Sequence, residues 1–306
     1  MPPHLFYASA GSLTKTRSYG IMYEKTLKNK EKTMLGAIIG DIVGSRFEFN
    51  NHRSKEFGLF GNDGLRRRAC CFTDDSVMTV AVADALMSIK DTSNDEAVTK
   101  AFILKMHEYG RRYPGAGYGG MFFDWLFEGE VKPYNSFGNG SAMRVSPCGW
   151  YGKTLEECMH LAELSAAVTH NHPEGIKGAV SVAAAIYLAR AGKSKAEIMS
   201  YIEQNFYPDA FKKTLDEIRP TYKFNETCQN TVPQAFVAFY ESTSFEDAIR
   251  CAVSLGGDCD TLTCITGGIA EAFYGIPKEI EEQAYAFLDE RMKEVIRSFQ
   301  SNVKIL

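Results

Sequence analysis

From Met34 onward, apolar residues recur every three or four positions, a spacing that predicts helices rather than strands. Residues 34–45 set Gly36, Gly40 and Gly44 on one helical face, where a second helix can approach closely. An apolar run over 77–89 and a segment from Asn94 to about Arg112 predict two further helices. Residues 50–70 and 113–120, polar or rich in glycine, read as loops. Capping pairs mark three more starts: Thr154 with Glu157, Ser194 with Glu197, and Ser244 with Asp247. Pro173 sits in the first turn of a helix reaching Ala189, and residues 231–240, 245–255 and 279–299 complete the set. Nothing alternates as a strand would, and no β-α-β rhythm appears. One all-α domain over 34–306 is expected, after an N-terminal extension (1–33) without periodicity that reads as a flexible tail, a partner-binding arm or an upstream start ahead of Met34.

Composition narrows the function classes. A chain of 306 residues with 45% hydrophobic and 24% charged positions can bury a sizeable core. A net charge of −4 gives no electrostatic case for general nucleic-acid or anionic-membrane binding. The longest apolar run, 179–189, is too short to cross a bilayer. Eight scattered cysteines without a C-x-x-C pair argue against a zinc ribbon or disulfide framework, and suggest reduced thiols in the cytoplasm. The polar first 33 residues lack the apolar core of a signal peptide.

Two stretches carry paired carboxylates just ahead of apolar helical runs: Phe72-Thr73-Asp74-Asp75-Ser76 and Gly256-Gly257-Asp258-Cys259-Asp260-Thr261. Such oxygens are ordinary helix N-caps. A cap needs only one oxygen, however, and paired carboxylates repel unless a cation or hydrogen bonds offset the charge. Hard oxygen ligands of this kind suit Mg²⁺ or Mn²⁺. Glu48, between Phe47 and Phe49, reads either as a solvated carboxylate or as a ligand or general base tuned by apolar neighbours. The run Gly138-Asn139-Gly140-Ser141 exposes backbone N–H groups ahead of a helical segment, which is either a turn or a phosphate-binding nest. His170 is a structural residue or a ligand contact, and His172 is structural or exposed.

Together these stretches resemble the ADP-ribosylglycohydrolase family, whose members include the dinitrogenase reductase-activating glycohydrolase. The resemblance rests on GAIIGDIVGSRFE (36–48), FTDDS (72–76), GNGSAMR (138–144), THNHPEG (169–175) and GGDCDT (256–261). It implies an all-α, single-domain orthogonal bundle with a binuclear Mg²⁺ (or Mn²⁺) centre. By that likeness Thr73, Asp74, Asp75, Asp258, Asp260 and Thr261 would ligate the metals. Glu48 and Asp258 would be catalytic, and Asn139, Gly140, Ser141, Met143 and His170 would line an ADP-ribose pocket. Cys259 lies between two ligand positions and is expected to point away, because Mg²⁺ prefers oxygen.

The expected activity is removal of ADP-ribose from a modified protein side chain, arginine first, by cleavage at C1″. The alternatives are an ADP-ribose-binding or toxin-neutralising immunity protein, with 1–33 as a partner arm, and a hydrolase of serine, nucleobase or small-metabolite conjugates.

Overall fold

The glycine-spaced segment at the head of the domain folds as a helix buried at every position, and a second helix lies directly on its glycine face. The computed structural model describes residues 34–61, 69–127 and 131–303; the 1–33 arm lies outside them. Among the described residues there are fifteen helices and no strand, with one isolated bridge between Gly138 and Thr227. The helices are α1 (Leu35–Gly44), α2 (Asp74–Ser88), α3 (Asp95–Arg112), α4 (Gly120–Phe127), α5 (Gly140–Met143), α6 (Ser146–Tyr151), α7 (Leu155–Ala167) and α8 (Pro173–Arg190). After these come α9 (Lys195–Asn205), α10 (Leu215–Ile218), α11 (Cys228–Glu241), α12 (Phe245–Leu255), α13 (Cys259–Tyr274), α14 (Lys278–Tyr285) and α15 (Glu290–Asn302). The all-α expectation holds. No described helix is long and apolar enough to cross a membrane.

Helices α1 and α13 meet backbone to backbone. A Cβ at Gly36 would stand 2.5 Å from the Gly267 carbonyl, one at Gly44 2.5 Å from the Cys259 carbonyl, and one at Gly40 would overlap the Thr263 carbonyl. The face is therefore closed to any side chain. Residue 34 offers no side-chain cap; instead the buried Glu271 of α13 accepts a 2.7 Å hydrogen bond from Gly36 N, placing a carboxylate at the positive end of α1.

The caps largely follow the sequence. Ser194 and Glu197 form a full capping box. Thr154 and Ser244 accept from the backbone three residues on, but Glu157 and Asp247 reach back one residue further, to Lys153 N and Thr243 N. Pro173 opens α8 as expected. The helix predicted over 279–299 is two, because the chain turns at 286–288 and Asp289 caps α15 by accepting from Met292 N at 2.9 Å. Ordered structure in the loop after α1 comes from guanidinium groups bonding to carbonyls. Arg46 donates to Gly58 O and Gly61 O, Arg53 to Leu255 O and Tyr222 O, and Arg250 to Lys55 O and Phe57 O. All eight cysteines are free thiols.

The α1–α13 contact sets a clear expectation. Gly40→Ala forces the helices apart, and its thermal midpoint falls by an amount equivalent to about 3 kcal/mol. Gly115→Ala, with nothing within 4 Å of the added carbon, stays within about 0.5 kcal/mol of wild type. Equal midpoints for the two variants would contradict the close packing.

Candidate active site

The start of α2 is capped from another helix. Asp41, fully buried on α1, accepts from Thr73 N at 2.8 Å, Thr73 Oγ1 at 2.7 Å, Ser76 N at 3.1 Å and the Ser76 hydroxyl. Capping is thus done by Asp41, together with the Thr73 hydroxyl toward Asp75 N. Asp74 and Asp75 are left for other work. Asp75 is 2% exposed, and its Oδ1 is buried without a hydrogen-bond partner. An orphaned, buried carboxylate oxygen is costly unless a cation or donor meets it.

The second acidic stretch is shaped by a turn that needs glycine. Gly256 and Gly257 have φ of +66° and +77°, and Asn51 Oδ1 accepts from Gly257 N at 3.0 Å. Asp258 is the residue ahead of α13, yet its side chain makes no capping bond. Asn139 Nδ2 donates to its Oδ2 at 2.7 Å and to Thr231 Oγ1 at 3.1 Å. Asp260 accepts from Thr261 N at 3.0 Å, and Thr261 Oγ1 donates to Asp75 Oδ2 at 3.3 Å, which joins the two stretches. Cys259 is buried with Sγ toward Thr263 Oγ1, as expected.

The carboxylates gather into two groups able to hold a metal ion: Asp41, Asp75 and Asp260, and Glu48, Asp258 and Asp260. In each group one oxygen per residue lies within 4.8 Å of the others. Asp260 belongs to both. No basic side chain pairs with Asp41, Asp75, Asp258 or Asp260 among the described residues. Burial, reinforced by neighbouring carboxylates, holds Asp74, Asp75 and Asp260 well above the usual carboxylate range. Burial also pushes Asp258 up to about 6, against the lowering effect of its hydrogen bonds with Asp260 and Asn139. The donor set is all hard oxygen, and with the Asp75 orphan it fits divalent cations such as Mg²⁺.

Glu48, Asp74, Asp75, Asp258 and Asp260 line a cavity of about 710 Å³, whereas Asp41 is fully buried and is not part of its lining. Asn139, Gly140, Met143, Arg144 and His170 also line it. Of the residues expected there, Ser141 is not on the surface of this cavity: it is fully buried and its hydroxyl donates to Gly175 O at 2.7 Å. Thr73 is likewise not part of the lining and faces Asp41. His172 is structural, its Nδ1 accepting from Glu174 N at 3.1 Å to cap α8. Sequence reasoning gave no role to Asp41, Asn51 or Arg144. For Asp41 a signal existed, since an acid inside an otherwise apolar helix must find partners.

A family model described as ADP-ribosylglycohydrolase matches residues 24–303, beginning upstream of Met34. The chain is 26% identical to the ADP-ribosylarginine hydrolase Tri1 of Pseudomonas putida (strain GB-1), over 91% of this chain and 80% of that protein. It is 24% identical to the ADP-ribosylhydrolase ARH3 of Bos taurus, over 97% of this chain and all of the other. A solved structure titled "ADP-ribosylglycohydrolase-related protein complex" superposes with a TM-score of 0.67 at 22% identity, covering 91% of this chain and 99% of that one, which shows a shared fold.

The raised carboxyl groups set a pH dependence for the metal-free protein. A carboxyl that holds its proton more tightly folded than unfolded stabilises the fold at low pH, and that contribution is lost as pH rises through the folded value. For Asp258 the window runs from 3.8 to about 6. In EDTA, the difference in thermal midpoint between wild type and Asp258→Asn should shift against wild type as pH rises from 4 to 6. A constant difference, or one moving the other way, would contradict the assignment.

Proposed function

The chain belongs to the ADP-ribosylglycohydrolase family, and we propose that this hydrolase removes ADP-ribose from a modified arginine side chain at a pair of Mg²⁺ ions. The observation that carries the reading is Asp260, shared between two carboxylate groups on the wall of a cavity large enough for a nucleotide-sized ligand. In this reading Thr73, Asp74, Asp75, Asp258, Asp260 and Thr261 hold the ions, with Asp41 fixing the 73–76 turn that carries three of them. Mn²⁺ would fit the same donors.

Held by these residues, the ions would supply positive charge for the paired hydroxyls of the distal ribose and for a water near C1″. Glu48, half-buried beside Asp258 and Asp260, takes a proton from that water at its carboxylate oxygen. Asn139 Nδ2 fixes the Asp258 carboxylate, so that it stays aimed at the reacting sugar rather than capping α13. The water oxygen bonds to C1″, the bond from C1″ to the guanidine nitrogen breaks, and that nitrogen receives the proton. Asn139, Gly140, Met143 and His170 receive the rest of ADP-ribose.

Support for arginine comes from the Tri1 relative, and from two carboxylates at the cavity, Glu48 and Glu226, that suit a cationic leaving group. The filled carboxylate positions favour hydrolysis over a pure binding role.

An arginine-ADP-ribosylated protein is the test substrate. Wild type with Mg²⁺ should release free ADP-ribose, EDTA should stop it, and Asp258→Ala/Asp260→Ala should lower kcat/KM by about 10³ or more. Release that survives both treatments refutes the metal-centred reading. Faster release from a serine-linked substrate moves the acceptor from arginine to serine.

A further inference from the structure

At the cavity wall, Arg144, Thr169 and His170 form a buried hydrogen-bonded line. Arg144 is 1% exposed, Thr169 0% and His170 5%. Arg144 Nη2 donates to Thr169 Oγ1 at 2.8 Å and to Ser165 O at 2.8 Å, and Thr169 Oγ1 meets His170 Nδ1 at 2.7 Å. A guanidinium can only donate, so the threonine oxygen accepts from it and retains one proton of its own. His170 Nδ1 and the Tyr134 phenol both lie within hydrogen-bonding reach of that hydroxyl; the phenol keeps its own proton to donate, so the ring nitrogen is left as the acceptor. Leaving a fully buried hydroxyl proton unmatched is unfavourable, which selects the imidazole with Nδ1 bare and Nε2 protonated.

The other edge of the ring is left uncovered by glycine. A Cβ at Gly140 would stand 3.3 Å from His170 Nε2 and one at Gly138 3.5 Å from it. His170, Gly138 and Gly140 all line the cavity. We propose that Arg144 and Thr169 are positioning residues that hold His170 in its Nε2–H form, as a hydrogen-bond donor to an oxygen of bound ADP-ribose. The inference rests on the proposed function for the identity of the ligand, but not for the relay itself. Two further features agree with it. Burial and the Arg144 charge hold His170 well below the usual imidazole range, so the ring stays neutral and its tautomer matters. The Tyr134 phenol, whose ring is 6.0 Å from that of His170, is pushed up to about 12 by burial and carries no competing charge near neutrality.

The test uses the full chain, ¹⁵N-labelled at histidine, with the His170 signals assigned by comparison with His170→Gln. Wild type should show Nδ1 unprotonated and Nε2 protonated. Thr169→Val keeps the side-chain shape and removes the hydroxyl; it should give mixed tautomers, weaken ADP-ribose binding about tenfold and raise KM by a similar factor, with kcat within about threefold. Thr169→Ser restores the hydroxyl and should return all of these to within about twofold of wild type, which separates the relay from a packing defect. A wild-type ring protonated at Nδ1, or equal affinities for the valine, serine and wild-type proteins, overturns the proposal. Wild type that binds no ADP-ribose overturns the proposed function instead, and the tautomer then decides the relay alone.

Discussion

The site depends on how closely α1 lies on α13. With glycine at 36, 40, 44 and 267, the two backbones touch where most helix pairs keep side chains between them. Two acids, Asp41 within α1 and Glu48 just beyond it, are thereby brought to the start of α13, where Asp258 and Asp260 stand. A methyl group at any of these contacts would move one carboxylate set relative to the other. Core packing and site geometry are one constraint.

The second consequence is electrostatic. Several buried carboxylates share one wall, and burial with mutual repulsion raises their proton affinity. Left alone, such an arrangement opposes folding at neutral pH. It persists because Asp41 spreads its charge over backbone and hydroxyl donors of the 73–76 turn, and because Asn139 does the same for Asp258. Those bonds fix the oxygens without neutralising them. The remaining negative charge would suit a hard divalent cation.

Much of this was legible in the sequence. The glycine repeat foretold a close helix contact, and the two Asp-Asp and Asp-x-Asp stretches foretold a shared acidic wall. What escaped were partnerships across long separations. Asp41 and the 73–76 turn are 32 to 35 residues apart, and Arg144 and Thr169 are 25 apart. No local pattern marks such pairs. The loop after α1 looked shapeless because its order comes from guanidinium groups reaching carbonyls up to 202 residues away. Short helices were also missed. The one at 215–218 has a full Thr214–Glu217 capping box, but only four residues follow it, too few for any periodicity. The inward turn of the Ser141 hydroxyl to Gly175 was not legible either, because its neighbours Gly140 and Met143 line the cavity.

The central claim is that the shared Asp260 joins two metal positions into one centre. Mn²⁺ titration followed by electron paramagnetic resonance tests it most directly. The account predicts two Mn²⁺ per chain with an exchange-coupled signal, reduced in Asp260→Ala to at most one weakly held, uncoupled ion. A single uncoupled Mn²⁺ in the wild type, unchanged by that substitution, would contradict it.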